Sequence, residues 1–591
     1  MSILGKLHEE SNSDHESSSG YLRSDDHGRL RPLALKGPLG QVDMTFRLYH
    51  LPTLALLIGY SVYWLELLFI SPGQPEVSWT ASILLCITIL HALYGVSWKQ
   101  GWADWKEWLL RKQANQDWQA LATYVACLLP VVVILCSAVL AYSRPPHLAQ
   151  EYDAVNYHFS LPRQHLLWST FAHLPWSTAD LFPLPLQFAM ASYALVTSAP
   201  NKMAFLLPAI GLVFLCYRLA TSEAGRLSGL LVVGLLVGSH GVATQFGMAM
   251  FDLTIAYLAV AALDSWRCRR PVWVGIEVAF LCSAKSWFLI LVLGAIAATV
   301  LCVKAAERRG WDFGLVRRSR LPNLSHREVR IAVISAGIGL LLIGGPFFAK
   351  ATYYAGTPLY PLESCTFSGS LCEGDNPSVN ESASALLLIR DAYGDGRGIF
   401  SFIRHLWTLS VPAEGVMNAF DYPLGLPYLL SFPVFIVSFI GGLRKRKLNV
   451  AGVLGVILYG AWWFGSQQTR FLYPAITMIF LIVSTTPVFY SSRNVRGAVI
   501  LSLILTSVSV FRGVDTVADF GRNRQELVPW YARPASEQGE WRSGVWVTEH
   551  KELAFLRVRA FVVQKTGNER ATHFLLPVAP RVQTTWLGED L

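Results

Sequence analysis

Runs of about twenty apolar residues, separated by short polar loops, recur along most of the chain. Examples are the runs at 51–70, 120–142, 331–349 and 471–489. A helix of about 20 apolar residues is long enough to cross the roughly 30 Å of hydrocarbon in a bilayer. The composition agrees, because 53% of the residues are hydrophobic and only 15% are charged, against roughly 25% charged in soluble domains. The pattern therefore predicts an all-α polytopic membrane protein.

The distribution of Lys and Arg over the loops predicts the orientation of the spans, because basic loops stay on the cytoplasmic side. Basic residues concentrate before residue 51 and in the loops 98–118, 267–271, 304–330 and 444–447, whereas 350–424 is mainly acidic. Threading the chain through these loops gives about 13 transmembrane helices, with the N-terminus inside and the C-terminal tail outside. The predicted spans lie near 51–70, 79–97, 120–142, 202–221, 226–246, 251–266, 272–285, 286–303, 330–349, 425–443, 449–464, 471–489 and 497–512.

The apolar run 183–199 does not fit this alternation as a span, because counting it would place the basic loops outside. We interpret it as an outer juxtamembrane helix that starts at Pro183 and Pro185. The predicted organisation begins with a disordered cytoplasmic tail at 1–46, followed by two N-terminal helices with a basic loop at 47–118. A transmembrane core follows at 119–512, with outer loops at 143–201 and 350–424. The chain ends in an outer tail at 513–591, with short strand-like runs at 544–548, 557–563 and 573–578.

The net charge and the cysteines argue against nucleic acid as a partner and against a thiolate metal site, since the sequence has no Cys-x-x-Cys or His-Cys cluster with zinc spacing. The net charge of +9 would suit nucleic acid in a soluble protein, but the basic residues fall in loops between spans, so no nucleic acid is expected. Most of the nine cysteines lie inside apolar runs, where a thiol acts as a small hydrophobe. Cys365 and Cys372 differ, since they share a polar loop and could form a disulfide in an oxidising compartment.

Polar residues that stand out from the apolar pattern gather at the predicted outer surface, on five separate segments. They include Glu151 and Asp153 with Tyr157, His158 and Arg163; Asp252; Lys285; Tyr360; and Gln468 with Arg470. Simpler structural roles stay open for five of them. Tyr157 and His158 could be packing and hydrogen-bonding groups. Asp252 could cap a helix N-terminus, and Lys285 and Arg470 could anchor at the membrane interface.

This set of side chains suits the transfer of a group from a lipid-linked phosphate to a hydroxyl. A hydroxyl is a weak nucleophile, so a carboxylate must accept its proton, and Asp153 fits that role. A departing phosphate needs fixed cations near its developing charge, which Lys285 and Arg470 would supply. A single displacement of this kind would invert the anomeric centre of a sugar. A divalent cation held by Glu151 and Asp153 is an alternative role for this pair, since paired carboxylates also suit hard metals.

Several of these segments resemble one family. The stretch Glu151-Tyr152-Asp153-Ala-Val-Asn-Tyr157-His158-Phe-Ser-Leu-Pro-Arg163 is similar to the first outer loop of bacterial integral-membrane glycosyltransferases of the C-type fold, relatives of the protein O-mannosyltransferases and of lipid A aminoarabinose transferase. Later segments resemble further family motifs in the same order, over roughly residues 120–510: Phe182-Pro-Leu-Pro-Leu186, Met250-Phe-Asp252-Leu253, Ser283-Ala-Lys285, Thr357-Pro-Leu-Tyr360-Pro361 and Gln467-Gln468-Thr-Arg470-Phe-Leu-Tyr-Pro474.

The resemblance implies a polyprenyl-phosphate-sugar donor, an active site on the extracytoplasmic side of the bacterial inner membrane, and Asp153 as the catalytic base. Lys285 and Arg470 match basic positions that meet the lipid phosphate. Two features depart from the family pattern. Glu-x-Asp at 151–153 replaces an adjacent acidic pair, and Ser286-Trp287 follows Lys285 where many relatives have Tyr-Thr-Gly. The acceptor is expected to be a hydroxyl of a cell-envelope glycan, lipid or protein.

Other functions remain open on the sequence alone. A transporter or flippase of lipid-linked sugars would place ionisable groups near the bilayer midplane, often in a repeated pattern. An oligosaccharide polymerase or ligase would also span the membrane many times and carry a large outer loop. An inert member of the fold would serve as a scaffold. The clustering of polar residues at one surface favours the enzyme.

Overall fold

The computed structural model describes most of the predicted core and little of the tails. The described residues are 50–69, 77–94, 132–136, 139, 153–174, 178–196, 201–314, 325–361, 393–394, 396–410, 420, 423–486, 501 and 505. Helices account for 80% of these described residues. Glu151, Cys365, Cys372, the tail at 1–46 and the strand-like runs after 513 lie outside this part of the chain.

Sixteen helices of regular α type can be followed through the described segments. The first eight are α1 Leu51–Phe69, α2 Thr80–Tyr94, α3 Ser160–Trp168, α4 Pro185–Ala194, α5 Leu206–Ala224, α6 Arg226–Gly238, α7 His240–Gln245 and α8 Asp252–Arg267. The next eight are α9 Pro271–Ser283, α10 Ser286–Arg308, α11 His326–Gly339, α12 Gly345–Ala355, α13 Ile399–Thr408, α14 Leu426–Arg444, α15 Val450–Phe464 and α16 Tyr473–Ser484.

Short elements connect these helices. Two π-helical turns lie at Ala154–His158, before α3, and at Leu340–Gly344, between α11 and α12; 3-10 turns occupy Thr178–Leu181, Lys202–Phe205 and Thr469–Leu472. Two three-residue strands, β1 (Asp312–Gly314) and β2 (Lys447–Asn449), pair in parallel with Asp312 opposite Lys447. This pairing joins the segments that follow α10 and α14.

Five helices are long and apolar enough to cross a membrane, which is compatible with an integral membrane protein. They are Leu51–Phe69, Lys202–Ala224, Ser286–Arg308, His326–Ala355 and Leu426–Arg444. Shorter apolar helices lie at Thr80–Leu90, Arg226–Gly238, Pro271–Ser283, Val450–Phe464 and Thr469–Ser484. The prediction of a helical protein with apolar helices is confirmed. The number of 13 spans stays a prediction, because most of 120–142 and most of 497–512 lie outside the described residues.

Helix ends follow local sequence signals. Ser325 and Glu328 form a reciprocal capping box at the start of α11, which satisfies amide groups that have no partner within the helix. Pro185 and Pro271 occupy the first turns of α4 and α9, where the missing amide proton costs nothing. Gly225 separates α5 from α6 with a φ of 93°, a conformation that side chains with a Cβ rarely adopt.

Helix α16 forms the centre of the protein, since every residue from Tyr473 to Ser484 is buried. At the periphery, α10 exposes Ile290, Leu293 and Leu301. Large apolar side chains that face outward in this way are expected where lipid replaces water as the solvent. The outward-facing apolar side chains of α10 are therefore compatible with a membrane-spanning helix.

The predicted juxtamembrane helix at 183–199 forms as α4, with Pro185 in its first turn. It lies buried against α1. The hydroxyl of Ser192 donates to the carbonyl of Gly59 at 2.7 Å, and the hydroxyl of Tyr193 donates to the carbonyl of Ala55 at 2.7 Å. The apolar character of α4 is therefore explained by contact with α1.

Replacing Gly59 with alanine is expected to destabilise the protein by about 1–3 kcal/mol, the usual cost of overpacking a core. A Cβ at this position would collide with the Ala189 carbonyl oxygen and lie 2.7 Å from Cε2 of Tyr193. The midpoint of thermal unfolding in lipid nanodiscs measures the effect. Gly294→Ala is the matched control, because a Cβ there meets nothing within 4 Å. A control that loses as much stability as Gly59→Ala would contradict the close approach.

Candidate functional site

An ion pair joins two segments that are far apart in the sequence. Asp153 precedes the π-helical turn before α3, and Arg470 lies in the 3-10 turn before α16. Nη1 of Arg470 donates to Oδ2 of Asp153, and the two side chains are 16% and 13% exposed. Nε of Arg470 also donates to Oε1 of Gln468 at 3.0 Å. The guanidinium is therefore oriented from two sides, yet part of it remains accessible.

A second carboxylate and a second cation lie beside this pair. Asp252 is the first residue of α8, and Lys285 sits in extended conformation between α9 and α10, in agreement with the boundary predicted between the spans 272–285 and 286–303. Nζ of Lys285 is 3.8 Å from Oδ1 of Asp252. The first turn of a helix favours a carboxylate, but Asp252 is not the N-cap, because Phe251 holds that position and no side-chain hydrogen bond caps the helix there. Nε2 of Gln245 donates to Oδ2 of Asp252 at 3.4 Å.

The ring of Phe471 connects the two cations. Nζ of Lys285 lies 3.9 Å from the ring centroid, and the guanidinium carbon of Arg470 lies 5.3 Å from it. The structure thus gathers Asp153, Arg470, Asp252 and Lys285 at one end of the helix bundle. We call this end, where α8 begins and α10 begins, the site end.

Burial and the neighbouring cations shift the pKa of the Asp153 carboxyl in opposite directions. Burial alone would raise the pKa of its carboxyl, but the charges of Arg470 and Lys285 and the hydrogen bond from Arg470 hold it below the ordinary value of 3.8. Asp153 is therefore deprotonated at neutral pH, as a base must be. For the same reason it is a weak base while Arg470 stays in contact.

His158 and Tyr157 line the same region. Nδ1 of His158 is 2.8 Å from the carbonyl oxygen of Ala249, and its ring packs edge-on against Tyr157 and Phe251. Burial lowers the pKa of His158 to about 4, so the ring is neutral at pH 7 and its Nδ1–H donates to Ala249. Burial, followed by the charge of Asp153, raises the pKa of the Tyr157 hydroxyl well above 10. Both side chains shape the site as neutral groups.

Acidification is expected to destabilise the protein through His158. The folded state holds the ring neutral, whereas the unfolded chain binds a proton at about pH 6.5, so this stability is complete above pH 6.5 and falls as the pH drops toward 4. At pH 5 we expect the free energy of unfolding to be about 2 kcal/mol lower than at pH 7. Thermal unfolding in nanodiscs at pH 7 and pH 5 measures it. His158→Gln should reduce the pH dependence, while His326→Gln, at an exposed position, should not. An unchanged slope in His158→Gln would contradict the assignment.

Two further predicted site residues, Tyr360 and Arg163, are buried. The ring of Tyr360 is buried against Phe182, with centroids 6.0 Å apart, and its carbonyl accepts from Ser286 Oγ, next to Lys285 in the chain. Arg163 is buried on α3. The structure thus gives Tyr360 a packing role, and its backbone supports the start of α10.

A buried network beside the site was missed by the sequence analysis. Oδ1 of Asp180 is 2.7 Å from Nε2 of His165 and 2.7 Å from Nζ of Lys350, and its Oδ2 accepts from the amide of Leu174 at 2.7 Å and lies 3.3 Å from Nδ1 of His173. The network ties α3 and the turn at Thr178–Leu181 to α12. The sequence signal that could have indicated this network is Lys350, a charged residue at the end of a long apolar run.

A second network lies where α8 ends and α9 begins, at what we call the opposite end. His50 is 3.5 Å from a carboxylate oxygen of Asp264 and 3.0 Å from one of Glu277. Arg218 contacts Asp264 at 2.6 Å, and Thr53 donates to Glu277 at 3.2 Å. These ionisable groups are separate from the site and stabilise the junction of α1, α5, α8 and α9.

Within the described segments, no group of three or more His, Cys, Asp or Glu side chains is arranged to hold a metal ion. The proposed partner of Asp153 in such a site, Glu151, lies outside them. Comparison with known protein families, with curated proteins and with solved structures gives no match for this chain.

Proposed function

We propose that this protein is a membrane glycosyltransferase of the C-type fold. It would move a sugar from a polyprenyl-phosphate donor to a hydroxyl of a glycan, lipid or protein. The observation that carries the proposal is the meeting of one carboxylate base with two fixed cations: Asp153, Arg470 and Lys285 come from three distant segments and converge at the site end. Catalysis of group transfer needs such convergence.

In the proposed reaction, the acceptor oxygen attacks the anomeric carbon and Asp153 takes the hydroxyl proton. The bond from the anomeric carbon to the phosphate oxygen breaks, and its electron pair leaves with the phosphate. Arg470 and Lys285 stabilise that negative charge. A single displacement inverts the anomeric centre.

The ion pair between Asp153 and Arg470 suggests that the donor binds before Asp153 becomes an effective base. A donor phosphate would compete with the Asp153 carboxylate for the guanidinium of Arg470. Once Arg470 binds the phosphate, burial acts on Asp153 with less opposition, and its pKa rises. Donor binding would then convert a weak base into a stronger one. Asp252, held by Gln245, would keep Lys285 in place.

The proposal also covers topology and location. About 13 spans, with the site end on the extracytoplasmic side of a bacterial inner membrane, would let a lipid-linked donor reach Lys285 and Arg470 from the leaflet. The apolar helices and the outward-facing apolar side chains of α10 support residence in a membrane.

A transporter or flippase of lipid-linked sugars is the second candidate. Glu277 supports it, because this buried carboxylate lies in the middle of the apolar helix α9, 3.0 Å from His50, and ionisable groups enclosed among apolar helices often mark proton or substrate pathways. The two candidates predict different products, since a flippase leaves the sugar on its lipid.

The test is sugar transfer by the purified full-length protein in lipid nanodiscs. A panel of polyprenyl-phosphate hexoses and pentoses serves as donors, and membrane extract supplies acceptors. Radiolabel that moves from the donor to an acceptor supports the glycosyltransferase. In parallel, the protein is reconstituted into liposomes with the same donors. Label that crosses the bilayer without transfer would favour the flippase and overturn the enzyme.

A further inference from the structure

Helix α13 (Ile399–Thr408) exposes a continuous apolar face. Ile399, Phe400, Ile403 and Trp407 are 74%, 84%, 63% and 60% exposed. At about 100° per residue, these positions cover an arc of roughly 100° on one side of the helix. A soluble surface rarely presents so many large apolar side chains together, so this face needs an occupant.

The opposite side of α13 is fixed to the ends of two apolar helices. Nε2 of His405 is 3.0 Å from the hydroxyl of Tyr428 on α14 and is hydrogen-bonded to the hydroxyl of Tyr459 on α15. The ring of Phe402 lies 5.4 Å from that of Trp463. The orientation of α13, and hence the direction of its apolar face, is therefore set by buried contacts.

These contacts also set the level of α13 relative to a bilayer. Helix α14 has 19 residues, a length of about 28 Å, close to the thickness of the hydrocarbon core. Tyr428 is the third residue of α14, and Tyr459 lies in the last two turns of α15. Helix α13 thus lies at the boundary where the apolar helices end.

The apolar face of α13 continues the outward-facing apolar surface of these helices. Leu426 and Leu430 near the start of α14 and Phe464 at the end of α15 are also exposed. Arg404 is exposed beyond the edge of the apolar arc, and Ser401 lies further round the helix. We infer that α13 is an interfacial helix, whose apolar face enters the lipid leaflet at the site end and whose Arg404 side faces headgroups and water.

The inferred position has a consequence for the site. The segment just before α13 braces the turn that carries Arg470: Nη2 of Arg397 donates to the Gly465 carbonyl at 3.0 Å, and Nε2 of Gln467 donates to the Gly396 carbonyl at 3.1 Å. Helix α13 would therefore hold this turn at a fixed depth near the lipid surface. The inference itself does not depend on the proposed reaction.

The experiment places an environment-sensitive fluorescent amino acid, by amber suppression, at one position at a time of the full-length protein in phosphatidylcholine nanodiscs. The test positions are Phe400 and Ile403, and the control position is Arg404 on the same helix. Quenching is measured with aqueous iodide and, separately, with lipids that carry a nitroxide near the headgroup.

The expected result is that positions 400 and 403 lose most iodide quenching relative to position 404 and are quenched by the nitroxide lipid. Iodide quenching at 400 and 403 equal to that at 404 would overturn the inference. Shielding from both quenchers would also overturn it, because another part of the chain or a second copy would then cover the face. A dilution series separates these two cases, since only a second copy depends on protein concentration.

Discussion

Replacing Asp153 with asparagine is expected to lower the turnover number for sugar transfer by about 10²–10⁴-fold, the usual contribution of a positioned general base. Asparagine keeps the shape of the side chain but cannot accept the acceptor's proton. Turnover of the wild-type protein and the variant is measured with the same donor and acceptor in nanodiscs, with Glu307→Gln, at an exposed position near the end of α10, as the control.

The Michaelis constant for the donor separates loss of the base from a general disturbance of the site. In the wild type, the Asp153 carboxylate occupies Arg470. The variant frees this guanidinium from a charged competitor, so the Michaelis constant should stay constant or fall while turnover drops. A disturbed fold would raise it instead. Full turnover in Asp153→Asn would exclude Asp153 as the base, and Glu151 would be the next residue to replace.

Replacing Arg470 with methionine is expected to lower transfer by about 10²–10³-fold, the typical cost of removing one group that stabilises charge in the transition state. The pH profile should change as well. In the wild-type protein without donor the pKa of Asp153 is below its ordinary value, so kcat/KM, which reports the free enzyme, should persist in acid until that carboxyl is protonated. Without Arg470, burial raises the pKa, and the acidic limb of the profile should move to higher pH.

The matched control is Arg444→Met, which removes an exposed arginine at the far end of α14. Arg470→Lys gives a graded comparison, because lysine keeps the positive charge but loses the planar guanidinium that can bind two oxygens at once. It should retain more activity than Arg470→Met. If activity in Arg470→Met falls at the same acidic pH as in the wild type, that fall is not caused by protonation of Asp153.

Much of the helical architecture could be predicted because apolar runs and punctuating residues act locally. Pro185, Pro271 and the capping box at Ser325 start helices where the sequence indicates, and Lys285 marks a helix break. Burial of a helix could not be predicted in this way. Helix α4 was predicted as an outer juxtamembrane helix, and only the structure shows that it packs against α1, where Gly59 and Ala189 approach closely.

The candidate site shows the same division. The sequence by itself determined which residues carry unusual chemistry, since charges such as Asp153, Lys285 and Arg470 stand out against an apolar background. Only the tertiary structure decided their partners. Asp153 meets Arg470 across 317 positions of sequence, and Asp180 meets His165 and Lys350 inside a network that no local pattern revealed. The physical reason is range: helix formation depends on residues a few positions apart, whereas ion pairs depend on how whole helices pack.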